Sequence, residues 1–247
     1  MVTEQLHTEL PQALHRALDL LAEPPADPDV SKGYLDLLKE SIESPPKNTG
    51  AIQAAWASGI GSMLYDNAQV IARKALSIWQ APIEWLSIPS GDVSLDVGSG
   101  PGNVTASLAR AAGPDGLALG VDISEPMLAR AVRAEAGPQV GFVRADAQQL
   151  PLRDETVDAV TSVAMLQLIP NPGVALAEMA RVLRPGGRIA VMVPTAGSAG
   201  PLWGILPDGG ARFFGEDELG DIVEDLGLIG VRTRSLANFQ WVRAKKP

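Results

Sequence analysis

Beyond residue 92 the chain alternates between two textures. Short apolar runs, "VSLDVG" (93–98), "LALGVDI" (117–123), "VGFVRAD" (140–146), "VDAVTSVAM" (157–165) and "GRIAVMVP" (187–194), read as strands. Between them, segments with helical character cover 103–113, 124–136 and 173–183. A helix near 216–226 and two last strands, near 230–236 and 238–244, follow. "IAVMV" is apolar at every position, as expected of a strand buried on both faces. The alternation predicts an α/β, doubly wound, mostly parallel sheet of seven strands. Ser124 stands where it would cap the second helix. "LRPGGR" (183–188) reads as a tight turn without chemistry.

The first ninety residues differ. Leu6, Leu10, Leu14, Leu18 and Leu21 recur at intervals of three and four, one apolar stripe that Pro11 interrupts. "EPPADPD" (23–29) breaks the pattern, a short helix is expected over 32–41, and "PP" at 45–46 ends it. Residues 50–87 read as mostly helical and carry Trp56, Tyr65, Trp79 and Trp85, the tryptophans reading as packing residues. The expected division is a helical extension and lid over 1–91 and a sheet domain over 92–247.

Composition narrows the function. The chain has 247 residues and a net charge of −9, which argues against a nucleic-acid partner, because phosphate binding needs clustered Lys and Arg. There is no cysteine, and the two histidines, His7 and His15, lie near the start. Disulfides, thiolate chemistry, a metal centre and a Ser-His-Asp triad in the sheet domain are therefore not expected. Three charge-free stretches, 48–65, 159–177 and 189–207, each contain Gly, and the last two contain Pro. These breakers fit strand–loop–helix junctions rather than membrane spans. The start has no basic-then-apolar leader pattern, so a cytoplasmic enzyme is the expectation.

The chemistry is concentrated in "LDVGSGPGN" (95–103), the turn from the first strand of the sheet domain into its helix. Ligands of such sheets bind outside the carboxyl ends of the strands. Gly98, Gly100 and Gly102 allow close backbone approach and positive φ. The dinucleotide fingerprint needs G-x-G-x-x-G, but the spacing here is G-x-G-x-G and Asn103 holds the sixth place. Asp96, just ahead of the turn, would repel a pyrophosphate and suit a ligand with a charged amine. Asp122, at the end of the second strand, is placed to accept both hydroxyls of a ribose. A nucleoside with an amino-acid tail satisfies all three features. A ligand-free glycine turn, with Asp122 capping the next helix and Asp146 ending a strand in a turn, is the simpler alternative.

These residues, with "GVDISEPML" (120–128), "RADAQQLPLRDETVDAV" (144–160), "SVAMLQLIPNP" (162–172) and "RVLRPGGRIAV" (181–191), resemble the class I S-adenosylmethionine-dependent methyltransferases, in the small-molecule branch similar to the ubiquinone/menaquinone methyltransferases. The resemblance covers about 92–247 and implies a Rossmann-like sheet with S-adenosyl-L-methionine as cofactor. It implies that the turn of Gly98, Ser99, Gly100 and Gly102 holds the methionine and ribose parts and that Asp122 binds the ribose. Ile123 and Met127 would line the adenine, although Met127 also reads as core. Asp146 would read the adenine amino group beside Ala147 and Gln148, and Ala164 and Met165 would face the cofactor. Where family members often carry a histidine or aromatic residue, Gln167 and Leu168 stand, which argues against a histidine-assisted mechanism.

Methyl transfer from a sulfonium needs positioning and exclusion of water more than a strong base. An acceptor that is a carboxylate, a phenolate or a ring-activated carbon would suit that chemistry. Gln167 and, if a base is used, Tyr65 are the catalytic candidates. The segment between the fifth strand and the next helix is short for a helical cap, although Trp203 and Leu206 could form a wall. The charge-poor segment 50–68 is therefore expected to fold over the cofactor, with Trp56, Met63 and Tyr65 facing a small-molecule acceptor and the leucine stripe packing further out. The alternative is that 50–68 is simply buried against the sheet. A non-catalytic cofactor-binding protein and an NAD-dependent oxidoreductase are the competing functions.

Overall fold

The computed structural model describes residues 10–38, 83–195, 212–236 and 239–247. Helix α1 (Gln12–Leu18) and strand β1 (Leu35–Asp36) come from the extension. The sheet domain follows as β2 (Val93–Val97), α2 (Asn103–Ala112), β3 (Leu117–Asp122), α3 (Glu125–Glu135), β4 (Val140–Arg144) and β5 (Val157–Val163). A 3-10 turn (Leu166–Leu168), α4 (Pro172–Val182), β6 (Leu183–Pro194), α5 (Glu218–Asp225), β7 (Ile229–Leu236) and β8 (Phe239–Lys245) complete it. The strands form one sheet in the order β1-β4-β3-β2-β5-β6-β8-β7. Among the described strands, β8 alone runs against the direction of the others.

The seven expected strands are all present, and β1 joins them as an eighth at the edge. The short helix expected over 32–41 is corrected by that strand as far as residue 38, where the described part of the extension ends. Gly33 takes φ +81, which a helix does not allow. Tyr34 and Leu35 point in opposite directions, as in a strand, and both are buried. The backbone pairs in parallel with β4, Leu35 opposite Val143 and Asp36 opposite Arg144.

Alternation along the strands separates two cores. One face carries Leu95, Val97, Leu117, Leu119, Val121, Val160 and Val191, covered by α1, α4 and α5 through residues such as Leu14, Leu176, Met179, Leu219 and Val223. The other carries Ala118, Phe142, Ala159 and Ala190, covered by Leu108 of α2, Leu128 and Ala131 of α3, and Leu86. The expectation that the leucine stripe packs further out is corrected for its described part. Ala13, Leu14, Ala17 and Leu21 are fully buried in the first core. Arg16 fastens the helix by donating to the Gly116 carbonyl at 2.7 Å. A buried leucine contributes about 2 kcal/mol, so α1 is part of the domain's core.

Residues 83–86 are helical. Trp85 packs edge-on against Trp241 of β8, ring centroids 5.7 Å apart, and the Arg243 guanidinium lies 5.2 Å over the Trp85 ring. "LRPGGR" is a bulged entry into β6 rather than a separate turn. β6 advances from Leu183 to Arg188 while β5 advances only from Val157 to Ala159. Among the described residues no helix is long and apolar enough to cross a membrane, and no cluster of acids or histidines could hold a metal.

Candidate functional site

After β2 the chain builds the sheet toward β4, then crosses back to β5. The reversal between β2 and β5 opens a crevice at the C-terminal strand ends. A small cleft of about 70 Å³ lies there, lined by Gly98, Val121, Asp122, Ile123, Ala145, Asp146, Ala147, Gln148, Met165 and Ile169.

The glycine turn forms one wall. Gly98, Gly100 and Gly102 have φ of +78, +51 and +87, so each is left-handed, a region that L side chains adopt only under strain. The backbone N–H groups of Gly98 and Ser99 both donate to the Val121 carbonyl, at 2.8 and 3.0 Å. The three glycines have different neighbours. A Cβ at Gly98 would meet Met165 Cγ at 2.4 Å, and one at Gly102 would meet Phe142 Cζ at 2.7 Å. At Gly100 a Cβ would meet nothing within 4 Å, so this position is open.

Three carboxylates stand around the turn. Asp122 Oδ2 accepts the Gly100 N–H and Oδ1 the Ser124 N–H, both at 2.8 Å. The acid thereby ties the turn after β2 to the turn after β3. Ser124 occupies the N-cap position of α3, but its hydroxyl makes no cap bond; its backbone N–H is satisfied by Asp122. Burial pushes the Asp122 carboxyl up, and the N–H bonds from Ser124 and Gly100 pull it back. Asp96 is fully buried below the turn. Its Oδ2 accepts the Thr105 hydroxyl at 2.7 Å, while Oδ1 has no partner. Burial pushes this carboxyl up to about 7; the Thr105 bond opposes the rise and the nearby Asp122 charge adds to it. Asp146 closes a local turn, its Oδ1 accepting the Gln148 N–H at 2.8 Å.

At the end of β5, Ala164 is left-handed at φ +55, a strained conformation for a residue with a Cβ. Gln167 Nε2 donates to its carbonyl at 2.6 Å. Gln167 is itself buried, its Oε1 unpartnered, and its carbonyl receives the N–H of Arg212 from the chain returning toward α5.

The structure thus gathers Gly98, Asp122, Ile123, Asp146, Ala147, Gln148 and Met165 in one cleft. Asp96 on β2, and Ser99, Gly100, Gly102 and Ala164 in the supporting turns, do not line it. Met127 is half-buried on α3 and does not line it either. Gln167 is the middle residue of the 3-10 turn, buried, and does not line the cleft. Tyr65, with Trp56, Met63, Trp203 and Leu206, lies outside the described residues. Val121, Ala145 and Ile169 line the cleft without having been singled out. The first two directly precede the acids, a position that could have marked them. Ile169 carried no signal beyond being apolar.

A family model described as "Methyltransferase domain" matches residues 95–191. A demethylmenaquinone methyltransferase of Staphylococcus aureus is 31% identical over 203 residues, covering 70% of this chain and 84% of the relative. The chain belongs to the class I S-adenosylmethionine-dependent methyltransferases. A ubiquinone/menaquinone biosynthesis C-methyltransferase of Saccharophagus degradans is 36% identical over 47% of this methyltransferase and 48% of its own length. This chain spans between a third and a half of the length of some curated relatives it matches. Among solved structures, a SAM-dependent methyltransferase from Thermotoga maritima superposes with a TM-score of 0.63 at 21% identity, covering 79% of this methyltransferase and 100% of that chain. That likeness concerns the fold. The family makes S-adenosylmethionine the cofactor and sets aside the NAD reading.

Proposed function

We propose that this methyltransferase binds S-adenosylmethionine in the switch-point cleft and methylates a small-molecule acceptor brought to the open side of that cleft. The observation that carries the reading is the convergence of Asp122, Asp146 and the left-handed glycine turn on one cleft, with the unpartnered Oδ1 of Asp96 buried beside it.

The residues fit the cofactor group by group. Each Asp122 oxygen accepts one backbone N–H and has further acceptor capacity for a ribose hydroxyl. Asp146 uses Oδ1 for its turn, which leaves Oδ2 for the adenine amino group, with Ile123, Ala147 and Gln148 bounding the ring. Asp96 gives the amino-acid end a negative partner beneath the turn. Met165 lies against Gly98 and forms the wall nearest the reacting end. When bound, S-adenosylmethionine supplies a sulfonium methyl with a neutral thioether as leaving group. The protein's part is to hold that carbon in line with the acceptor and to keep water out.

An electron-rich acceptor, such as a phenolate, a carboxylate or a carbon beside a ring hydroxyl, needs no strong base, which suits a chain whose only histidines are His7 and His15. The names of the two quinone-biosynthesis relatives favour the ring carbon. Residues 50–68 are our candidate lid, with Tyr65 as the base if one is used. Gln167 steadies Ala164 at the end of β5.

The test is transfer of isotopic methyl from labelled S-adenosylmethionine to a panel of hydroxyquinones, phenols and small acids. Label should enter one class, and Trp56→Ala or Tyr65→Ala should slow it while the protein stays folded. Tight cofactor binding with no transfer to a panel or cell extract would favour a non-catalytic binding protein.

A further inference from the structure

The strap 29–38 runs along the outer edge of the sheet, where its Leu37 bonds Arg144, the residue before the cleft-lining Ala145, and nothing in the chemistry above uses it. Its own turns are closed. Asp29 Oδ1 accepts both the N–H and the hydroxyl of Ser31, and the Asp36 N–H donates to the Asp29 carbonyl at 3.0 Å. Gly33 lies so close to α3 that a Cβ there would meet Val132 Cγ1 at 2.6 Å. Leu37 N–H donates to the Arg144 carbonyl at 3.1 Å, continuing the pairing of β1 with β4.

The strap also delivers two charges to one arginine's neighbourhood. Arg144, the last residue of β4, reaches Asp36 Oδ2 at 3.1 Å and Glu125 Oε1 at 3.0 Å with one terminal nitrogen. Its Nε donates to the Ile123 carbonyl at 3.3 Å. Lys32 completes the group by bonding Glu125 Oε2 at 2.8 Å, which holds the Glu125 carboxyl below its usual range. Two cations and two anions balance, and three elements meet: the strap, the end of β4 and the start of α3. The arginine and its strap aspartate are largely covered, with side chains 23% and 13% exposed.

What this network touches is the cleft. Ile123 and Asp122 form the turn between β3 and α3, and both line the cleft. Ala145 and Asp146, the next two residues after Arg144, line its facing side. The arginine therefore stands at the root of both nucleoside walls and pins the carbonyl of one.

We propose that the strap is a positioning element for the cofactor: Asp36 orients Arg144, and Arg144 fixes the Ile123 turn in the shape that receives the nucleoside. Asp36 and Arg144 are positioning residues, since they act through Ile123 and Asp122. The proposal rests on the reading of the cleft as the cofactor site. A simpler role, covering the β4 edge, would affect stability alone.

The experiment compares wild type, Asp36→Asn, Arg144→Met and the double variant. Each is measured by calorimetry with S-adenosylhomocysteine and with adenosine, at a temperature where circular dichroism shows it folded. Both single variants should lose about tenfold in affinity, the scale of coupling within one ion-pair network. The loss should be the same factor for both ligands, because the disturbed turn meets only the nucleoside. The double variant should bind no more weakly than Arg144→Met. Affinities within twofold of wild type, with only the melting temperature lowered, would overturn the positioning role. Failure of the wild-type protein to bind S-adenosylhomocysteine would overturn the cofactor reading itself, and the strap's role with it.

Discussion

Asp96→Asn isolates the electrostatics beneath the glycine turn. The carboxyl rises from 3.8 to about 7 on folding because it is buried with one oxygen unpartnered. A rise of about three pH units corresponds to roughly 4 kcal/mol, at about 1.4 kcal/mol per unit. Below pH about 4 the carboxyl is protonated in both states. Between about 4 and about 7 the unfolded chain releases the proton while the folded protein keeps it, so stability falls as pH rises. Above about 7 both forms are ionised and the penalty is complete. The amide of the variant has no proton to release, and its oxygen can still accept the Thr105 hydroxyl. Its N–H₂ group adds a cost of about 1–3 kcal/mol if left unsatisfied, and that cost does not depend on pH. Urea unfolding of the cofactor-free protein should therefore show wild type losing up to about 4 kcal/mol relative to the variant from pH 4 to pH 8. Apart from Asp122, whose charge couples to Asp96, the other titrating groups are common to both proteins and cancel in the difference. Parallel stability curves over that range would refute a strained, buried carboxylate. If the same acid receives the cofactor's ammonium, wild-type affinity for S-adenosylhomocysteine should rise toward pH 7 and that of the variant should stay level.

Five further perturbations address the frame of the site and of the fold. Asp122→Ala should weaken S-adenosylhomocysteine binding by more than a single hydrogen bond, each charge-assisted bond contributing about 1.5–3 kcal/mol, because it also frees the Gly100 and Ser124 N–H groups; unchanged affinity in a folded variant would remove the ribose role. Asp146→Ala should cost less and abolish the preference for adenosine over inosine, and a wild type that does not discriminate the two would show that Asp146 does something else. Gly102→Ala should destabilise by about 2 kcal/mol or more, from a left-handed alanine and a Cβ driven into Phe142, read as a lowered urea midpoint; an unchanged midpoint would show that the turn relaxes freely. Leu14→Ala should cost about 2–5 kcal/mol, and removal of residues 1–28 should impair folding rather than leave cofactor binding intact, as a circular dichroism melt would show.

Much of this architecture is local and therefore legible in the chain. The runs from "VSLDVG" to "GRIAVMVP" became β2 to β6 within a few residues of their expected bounds, because continuous apolar runs suit a sheet covered on both faces. The spacing of Gly98, Gly100 and Gly102 announced a left-handed turn, since few other residues tolerate one. Asp122, the last residue of β3, and Asp146, two residues past the end of β4, were legible because each stands at a sequence-marked strand-to-loop junction. Other features existed only once distant segments met. "KGYLDLL" has helical periodicity, yet it became the end strand because the edge of β4 offered backbone partners and Arg144 offered Asp36 a cation. The leucine stripe looked like a peripheral helix, but the face over Gly141 was open, and Ala13 and Leu14 fill it. That Gly98 makes room for Met165, or that Asp96 keeps one oxygen unpartnered, has no trace in local pattern. Periodicity records which side of a segment is apolar; which partner covers that side, and how far a buried charge is left from its counter-charge, are set by close packing between residues far apart in the chain.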